Sequence, residues 1–463
     1  MKKVTLFLFA IFTYSGIAQD LTSQGGAFIF NETKSPCLTE EARSLIISDI
    51  QASVADLEAT NRLAFGLENR GGNVLFNWPV EKTDGFTYNK VWGISNYVDH
   101  NANFPDQIQD YNCGTRSYDL SSGYNHSGVD IFTWPFGWRQ MDNDEAVIKA
   151  AAPGQIIFKH DGEFDRNCAI AGTLTWNAVY IQHADGTVTW YGHMKNGSVT
   201  TKAVGEMVSD GEVIGVVGSS GYSTGPHLHM ETWSDNTYTN LIDPYSGPCN
   251  PLNANTKWQS QKPYWEPRIN AVLTHSNPPV FNTCPNQETT NESNQFGIND
   301  PIVFAIYLGD QQAGTSINLK VVRPNNTVLY DWDFALTDTF SASYWYWTFN
   351  TLNIEGEWKW EATYGGETIT HRFNLGTLSI EEQTLESVQL FPNPFNDVLR
   401  INSNITINSI QVTDVLGKTV LTRLGSNQTI NQINTSNLSK GVYFVTLRNT
   451  ENALTRTVKM IKE

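Results

Sequence analysis

Apolar residues in the stretch TEEARSLIISDIQASVADL recur at Ile46, Ile50, Val54 and Leu57, a spacing that predicts an amphipathic helix over residues 39–57. Thr39 is placed to cap it, and Glu40 and Glu41 fall in the first turn, where free backbone amides favour negative charge. No other long helix is predicted. From about Asn73 onward the apolar positions form short alternating runs broken by Gly, Asn and Asp, the period-2 pattern of strands. AVYIQHADGTVTWYGHM reads as two strands around an Asp185-Gly186 hairpin turn. VFAIYL, INLKVV, SYWYWTFN and EWKWEATY alternate strongly and are rich in aromatic and β-branched residues, which predicts a β-sandwich whose alternate rings fill its core.

The expected architecture is mainly β, with a short N-terminal helical region. Lys2 and Lys3, an apolar run to Phe12 and a small-residue ending at Ala18 predict a signal peptide over residues 1–18. A helical region spans 19–75, a first β domain 76–251, a β-sandwich 265–375 and a further β-sandwich 388–463. The polar segment GTLSIEEQTLES reads as a connector before the last unit. No later run reaches the roughly 20 apolar residues of a permanent membrane span.

Charge narrows the range of partners. With 30 Lys+Arg against 47 Asp+Glu the net charge is -17, so nucleic acid is not expected as a partner, and a soluble monomer is. Five cysteines downstream of the signal peptide predict one or two disulfides and at least one unpaired thiol, and their spacing matches no CxxC metal pattern.

The candidate chemistry lies in three short patterns. HSGVD places His126 and Asp130 around a Ser127-Gly128 turn. WYGHM ends a strand-like run at His193. GPHLHM puts His227 and His229 two apart, hence on one face of a strand. Two imidazoles and a carboxylate with an open fourth position are what a hydrolytic zinc ion takes. No HExxH occurs, so a glutamate base on a zinc-binding helix is excluded. His100, His160, His183, His275 and His371 stand outside these patterns and read as structural or surface residues.

Taken in order, HxxxD, YxH and the approach GVVGSSGYSTGPHLHME resemble the lysostaphin-type zinc endopeptidases over residues 76–251. That resemblance implies an antiparallel β fold of the duplicated hybrid motif type with a groove over the metal. It implies Zn²⁺ held by His126, Asp130 and His229, and His193 and His227 as catalytic histidines. It also implies a peptide or peptidoglycan substrate, cut in the stems or cross-bridges. An extracellular protease for glycine-rich proteins such as elastin is one alternative, weakly favoured by the acidic charge. A non-catalytic wall-binding or amidase-activating module is another, against which the intact metal set argues. Some relatives are latent until an N-terminal region is removed and an asparagine leaves the zinc, so the 39–57 helix is either part of a propeptide or an ordinary packed helix. The aromatic segment after Asp130 is longer than the family pattern, and Trp134, Phe136 and Trp138 are expected to wall the substrate groove. LFPNPFNDVLRI, DVLGK, GVYFVTL and VKMIK resemble the type A sorting domain of Bacteroidetes. This implies the type IX secretion machinery as a partner and a destination at the cell surface or in the medium.

Overall fold

The computed structural model describes residues 22–30, 34–66, 71–168, 173–281, 288–376, 388–403, 407–425, 430–449 and 454–463. The expected signal peptide, and the expected connector beyond Gly376, lie outside the described residues. The chain divides into two compact units, Met1–Gly376 and Thr377–Glu463.

In the first unit, strand β1 (Gln24–Ala27) precedes helix α1 (Glu40–Ala59). Thr39 caps α1 by accepting from the Ala42 amide at 3.1 Å, as its position in sequence predicts. Next come β2 (Val80–Lys82), β3 (Trp92–Asn96), β4 (Val129–Thr133), α2 (Gly137–Asp142), β5 (Ala146–Lys149), β6 (Gly154–His160), β7 (Ala178–Gln182) and β8 (Val188–Gly192). They are followed by β9 (Met207–Val208), β10 (Val213–Val216), β11 (His227–Trp233) and β12 (Leu241–Ile242). The main sheet runs β3-β4-β11-β8-β7-β6-β9, with β12 on β11, and β10-β5-β2 form a smaller one.

Ala42, Ile46, Ile50, Val54 and Leu57 are buried along one side of α1 and pack on Ile157, Ala178, Tyr180, Val188 and Trp190 of the main sheet. Burying the four larger side chains contributes roughly 1.5–3 kcal/mol each before entropy is counted, enough to dock the helix.

The remainder of this unit is a sandwich built from β13 (Arg268–His275), β14 (Gln295–Phe296), β15 (Ile302–Gln311), β16 (Thr315–Val322), β17 (Val328–Leu336), β18 (Phe340–Phe349), β19 (Gly356–Tyr364) and β20 (Glu367–Leu375). One sheet is β1-β18-β15-β13 and the other β14-β20-β19-β16-β17. Phe304, Trp347, Phe349, Trp358, Trp360 and Phe373 fill the space between them, as the alternation predicts.

The expectation that Trp134, Phe136 and Trp138 wall a groove is corrected here. They are only 0%, 0% and 5% exposed. Trp134 stacks on Phe28 and Phe281, Phe136 on Phe281 and against the Tyr307 edge, and the Trp134 indole N–H donates to the Leu308 carbonyl at 3.1 Å. The aromatic segment is therefore glue between the main sheet and the sandwich. A composition rich in rings predicts burial against something, and here the partner is another part of the chain.

Cys113 and Cys249 form a disulfide across a sequence separation of 136, Cys168 is disulfide-bonded too, and Cys37 is free and buried. Loop closure of that length limits the unfolded chain strongly. Replacing both Cys113 and Cys249 by Ala should lower unfolding stability by about 2–5 kcal/mol, read as a shift in the denaturant midpoint.

His183 Nδ1–H donates to the Pro153 carbonyl and its Nε2 accepts from the Thr189 hydroxyl, and His275 Nδ1–H donates to the Thr290 carbonyl while its Nε2 accepts from the Tyr307 hydroxyl. Burial lowers both to about 4. They stay neutral in the fold at pH values where the unfolded imidazole, near pH 6.5, takes a proton. The stability these two imidazoles contribute is complete above about pH 6.5 and falls as the pH drops toward 4, by up to about 3 kcal/mol per imidazole. Denaturant titrations at pH 7 and pH 5 should show the lower midpoint at pH 5.

The second unit holds β21 (Gln389–Phe391), β22 (Val398–Asn402), β23 (Ser409–Asp414), β24 (Thr419–Leu424), β25 (Gln432–Asn434), β26 (Gly441–Asn449) and β27 (Leu454–Lys462). Sheets β21-β22-β25 and β24-β23-β26-β27 close over Phe395, Leu399, Ile410, Val412, Val445 and Leu447. Among the described residues no helix is long and apolar enough to cross a membrane.

Candidate metal centre

Three neighbouring strands of the main sheet bring the predicted residues together. In the antiparallel pairing of β4 with β11, Asp130 lies opposite His229, and in that of β8 with β11, Gly192 lies opposite His229. His193 follows Gly192 at the strand end with φ 62°, a left-handed conformation that turns its ring back over the sheet. His227, two residues before His229, projects from the same face of β11. His126 enters from the turn before β4. That turn requires glycine: a Cβ on Gly128 would lie 2.6 Å from the His229 ring.

The polar atoms converge closely. His126 Nε2 lies 3.1 Å from Asp130 Oδ2 and 3.3 Å from His229 Nδ1, and His229 Nδ1 lies 2.7 Å from Asp130 Oδ1. His126, Asp130, His193, His227 and His229 are all at most 2% exposed.

Each imidazole is anchored by its other nitrogen. His126 Nδ1–H donates to the Tyr97 carbonyl at 2.8 Å, His193 Nδ1–H to the Ser220 carbonyl at 2.6 Å and His227 Nδ1–H to the Gly225 carbonyl at 2.8 Å. His229 Nε2–H donates to Glu231 Oε1 at 3.0 Å. An acceptor at one nitrogen fixes the proton there and leaves the lone pair on the other. His126 Nε2 and His229 Nδ1 are thus the nitrogens that face the Asp130 carboxylate and hydrogen-bond to it, and Asn96 Nδ2 donates to the same carboxylate at 2.9 Å; on metal binding these two nitrogens would release their protons and supply lone pairs. This donor set fits a zinc ion. His193 Nε2 and His227 Nε2 have no hydrogen-bond partner among the described residues, although both are buried.

Electrostatics follow from the packing. Burial disfavours charge on His126, but the adjacent Asp130 carboxylate outweighs it and raises His126 to about 9. Burial likewise works against the Asp130 charge, and His126 overcomes it, holding the carboxyl well below its usual range. His193 goes the other way, lowered first by burial and then by the neighbouring His227, which keeps its lone pair free near neutrality.

Two contributors escaped the sequence reading. Glu231 extends His227-Leu228-His229 by the same two-residue period, so its place on this face was available from HLHME. Its carboxylate is fully buried, receives His229 and takes Arg43 Nη2 and Nη1 at 2.6 and 2.8 Å. It also accepts from Ser127 Oγ at 2.8 Å and Trp233 Nε1 at 2.9 Å. The second contributor, Cys37, carried no pattern at all. Its thiol, with ligand atoms of His126, Asp130 and His229, forms a group whose members all lie within 4.8 Å of one another.

Comparison with known proteins settles the kind of domain that holds this cluster. Residues 124–241 match Peptidase family M23, a span that contains all five residues singled out from the sequence. The chain carries an M23 peptidase domain. Residues 389–463 match the Secretion system C-terminal sorting domain. The chain is similar to the DD-carboxypeptidase/endopeptidase Mpg of Neisseria meningitidis, 40% identical over 107 residues, 23% of this chain and 19% of that protein. It is similar to the glycyl-glycine endopeptidase ALE-1 of Staphylococcus capitis, 31% identical over 119 residues, 26% of this chain and 27% of that one. The catalytic domain of lysostaphin from Staphylococcus simulans matches at 28% identity and a TM-score of 0.20, over 28% of this chain and 83% of that structure. The chain thus spans about a fifth of the length of Mpg.

Proposed function

We propose that this chain is an exported zinc endopeptidase that hydrolyses peptide bonds of peptidoglycan, in stem peptides or cross-bridges. One observation carries the reading: in an M23 domain, two imidazole nitrogens and a carboxylate converge beside two buried histidine nitrogens that have no hydrogen-bond partner among the described residues. His126, Asp130 and His229 would hold the metal. When bound, zinc supplies Lewis acidity, polarising a peptide carbonyl and lowering the pKa of a water. His193 and His227 point ring nitrogens that have no hydrogen-bond partner among the described residues into the site, from backbone anchors that fix their rings, so one would serve as the base and the other would steady charge or protonate the leaving amine. Their ring centroids are 4.4 Å apart, close enough for both to address one scissile bond.

The likeness to Mpg and ALE-1, whose names state peptide-bond cleavage, supports the substrate class. The C-terminal sorting domain supports export through the type IX machinery to the cell surface or medium.

Glu231 orients His229 and makes it more basic, so Glu231→Gln should cost about 10–100-fold in zinc affinity or activity. Isothermal titration of the metal-free protein with Zn²⁺ reads this directly. The substrate assignment is tested by incubating purified sacculi and, separately, insoluble elastin with the active protein. New muropeptides with free amino termini from sacculi are expected. Soluble peptides from elastin with unchanged sacculi would move the substrate, and binding to sacculi with no release would contradict catalysis.

A further inference from the structure

The metal-centre reading leaves Cys37 unexplained. It is the free cysteine among the described residues, 4% exposed, and it lies on the segment between β1 and α1. Its ligand atom belongs to two groups: one with His126, Asp130 and His229, the other with His193 and His227, each group packed within 4.8 Å. The thiol therefore sits where the three metal-binding atoms and the two unpartnered imidazole nitrogens meet. That position is the one a catalytic metal keeps open for water and substrate.

The segment is built to stay there. The Cys37 amide donates to the Tyr124 hydroxyl at 3.3 Å, its sulfur lies 3.2 Å from the Tyr118 hydroxyl, and Tyr118 donates to the Ser35 carbonyl at 2.9 Å. Lys34 donates to Asn96 Oδ1 at 3.2 Å, and Asn96 is the residue that holds Asp130. Upstream, Phe30 stacks on Phe132 and meets the edge of His227 at 5.6 Å, while Phe28 stacks on Trp134. β1 then adds an edge strand to β18, pairing Gln24 with Tyr346 and Ala27 with Ser343. Downstream, Arg43 of α1 is clamped on Glu231, the carboxylate behind His229. An ordinary N-terminal helix would need only its apolar face, and this segment is also fastened at the metal-binding residues themselves.

We propose that Cys37 is a fourth metal ligand, a thiolate that closes the coordination sphere and holds the chain latent until the segment around it is displaced. The inference rests on the metal-centre reading above. Two imidazoles, one carboxylate and one thiolate make a closed tetrahedral donor set for zinc, with no position left for water. On coordination the thiol proton passes to solvent. Lifting residues 34–38 off the site reopens that position without disturbing His126, Asp130 or His229.

The test uses the full chain, stripped of metal and reloaded with Co²⁺. Wild type should show a thiolate-to-cobalt charge-transfer band in the near ultraviolet, and Cys37→Ala should bind cobalt with that band lost. Peptide release by full-length Cys37→Ala should exceed that of wild type by on the order of tenfold or more, the factor for displacing a competitor worth about 1.4 kcal/mol. Should the variant fold poorly, alkylation of wild type decides: Cys37 should be protected from iodoacetamide by metal and labelled after its removal. Cobalt bound without a thiolate band, a band that persists in Cys37→Ala, or equal release by variant and wild type would overturn the proposal and leave the metal centre standing. Failure to bind cobalt at all would overturn both.

Discussion

Replacing His229 by Ala should abolish hydrolysis and zinc binding together, with activity down by at least about 10³-fold. His229 sits between Asp130, at 2.7 Å, and Glu231, at 3.0 Å, so in the proposed reading it is both a metal donor and the link from the metal site to the Arg43–Glu231 ion pair. Without it only one imidazole and one carboxylate converge besides the Cys37 thiol, and with Cys37 also replaced by Ala too few donors remain for a catalytic zinc site. Metal analysis of the variant made in the Cys37→Ala background should find no zinc above background, and sacculi should remain intact. The fold should survive, because the Glu231 carboxylate keeps its bonds to Arg43, Ser127 and Trp233. Retained zinc with lost activity would instead place His229 among the residues that handle protons.

His193→Asn should give the opposite split: zinc retained and activity lower by about 10²–10⁴-fold. Asparagine tolerates the left-handed backbone that His193 adopts at φ 62°, so the strand end is preserved and only the imidazole is removed. The variant also separates the two roles open to this residue. An amide donates a hydrogen bond but is no base, so a residual rate near the upper end would assign His193 to charge stabilisation and His227 to proton transfer. A rate near the lower end would reverse the assignment. Steady-state kinetics on a soluble cross-bridge peptide, with zinc content measured in the same samples, checks both.

The convergence of these histidines with Asp130 was legible in the sequence because short-range geometry favours it, while the choice of which of them would hold a metal came from the family resemblance. A two-residue period sends His227 and His229 to one face, and a Gly-containing turn lets His126 approach Asp130; neither depends on the rest of the fold. The helix was legible for the same reason, since Ile46, Ile50, Val54 and Leu57 declare their face by spacing alone. What those patterns lacked was any statement of partner. Nothing local says that Trp134 and Phe136 would be covered by Phe28, Phe281 and Tyr307. Nothing local says that α1 would lie across the sheet with Arg43 over Trp190 and Trp233 at 5.6 and 5.7 Å. Cys37 was the extreme case. A single thiol far upstream has no spacing to read, and it meets the histidines only because β1 and α1 dock on either side of it. Glu231 was missed with less cause, since the alternation that placed His227 and His229 also placed its carboxylate.

The assignment of a catalytic zinc ion to His126, Asp130 and His229 is tested most directly by reconstitution. The active protein is stripped with a chelator and titrated with Zn²⁺ while peptide release from sacculi is followed. Release should vanish on stripping, return in proportion to added zinc and level off at one equivalent per chain. Release that continues undiminished in the chelator, with no zinc bound, would contradict the assignment.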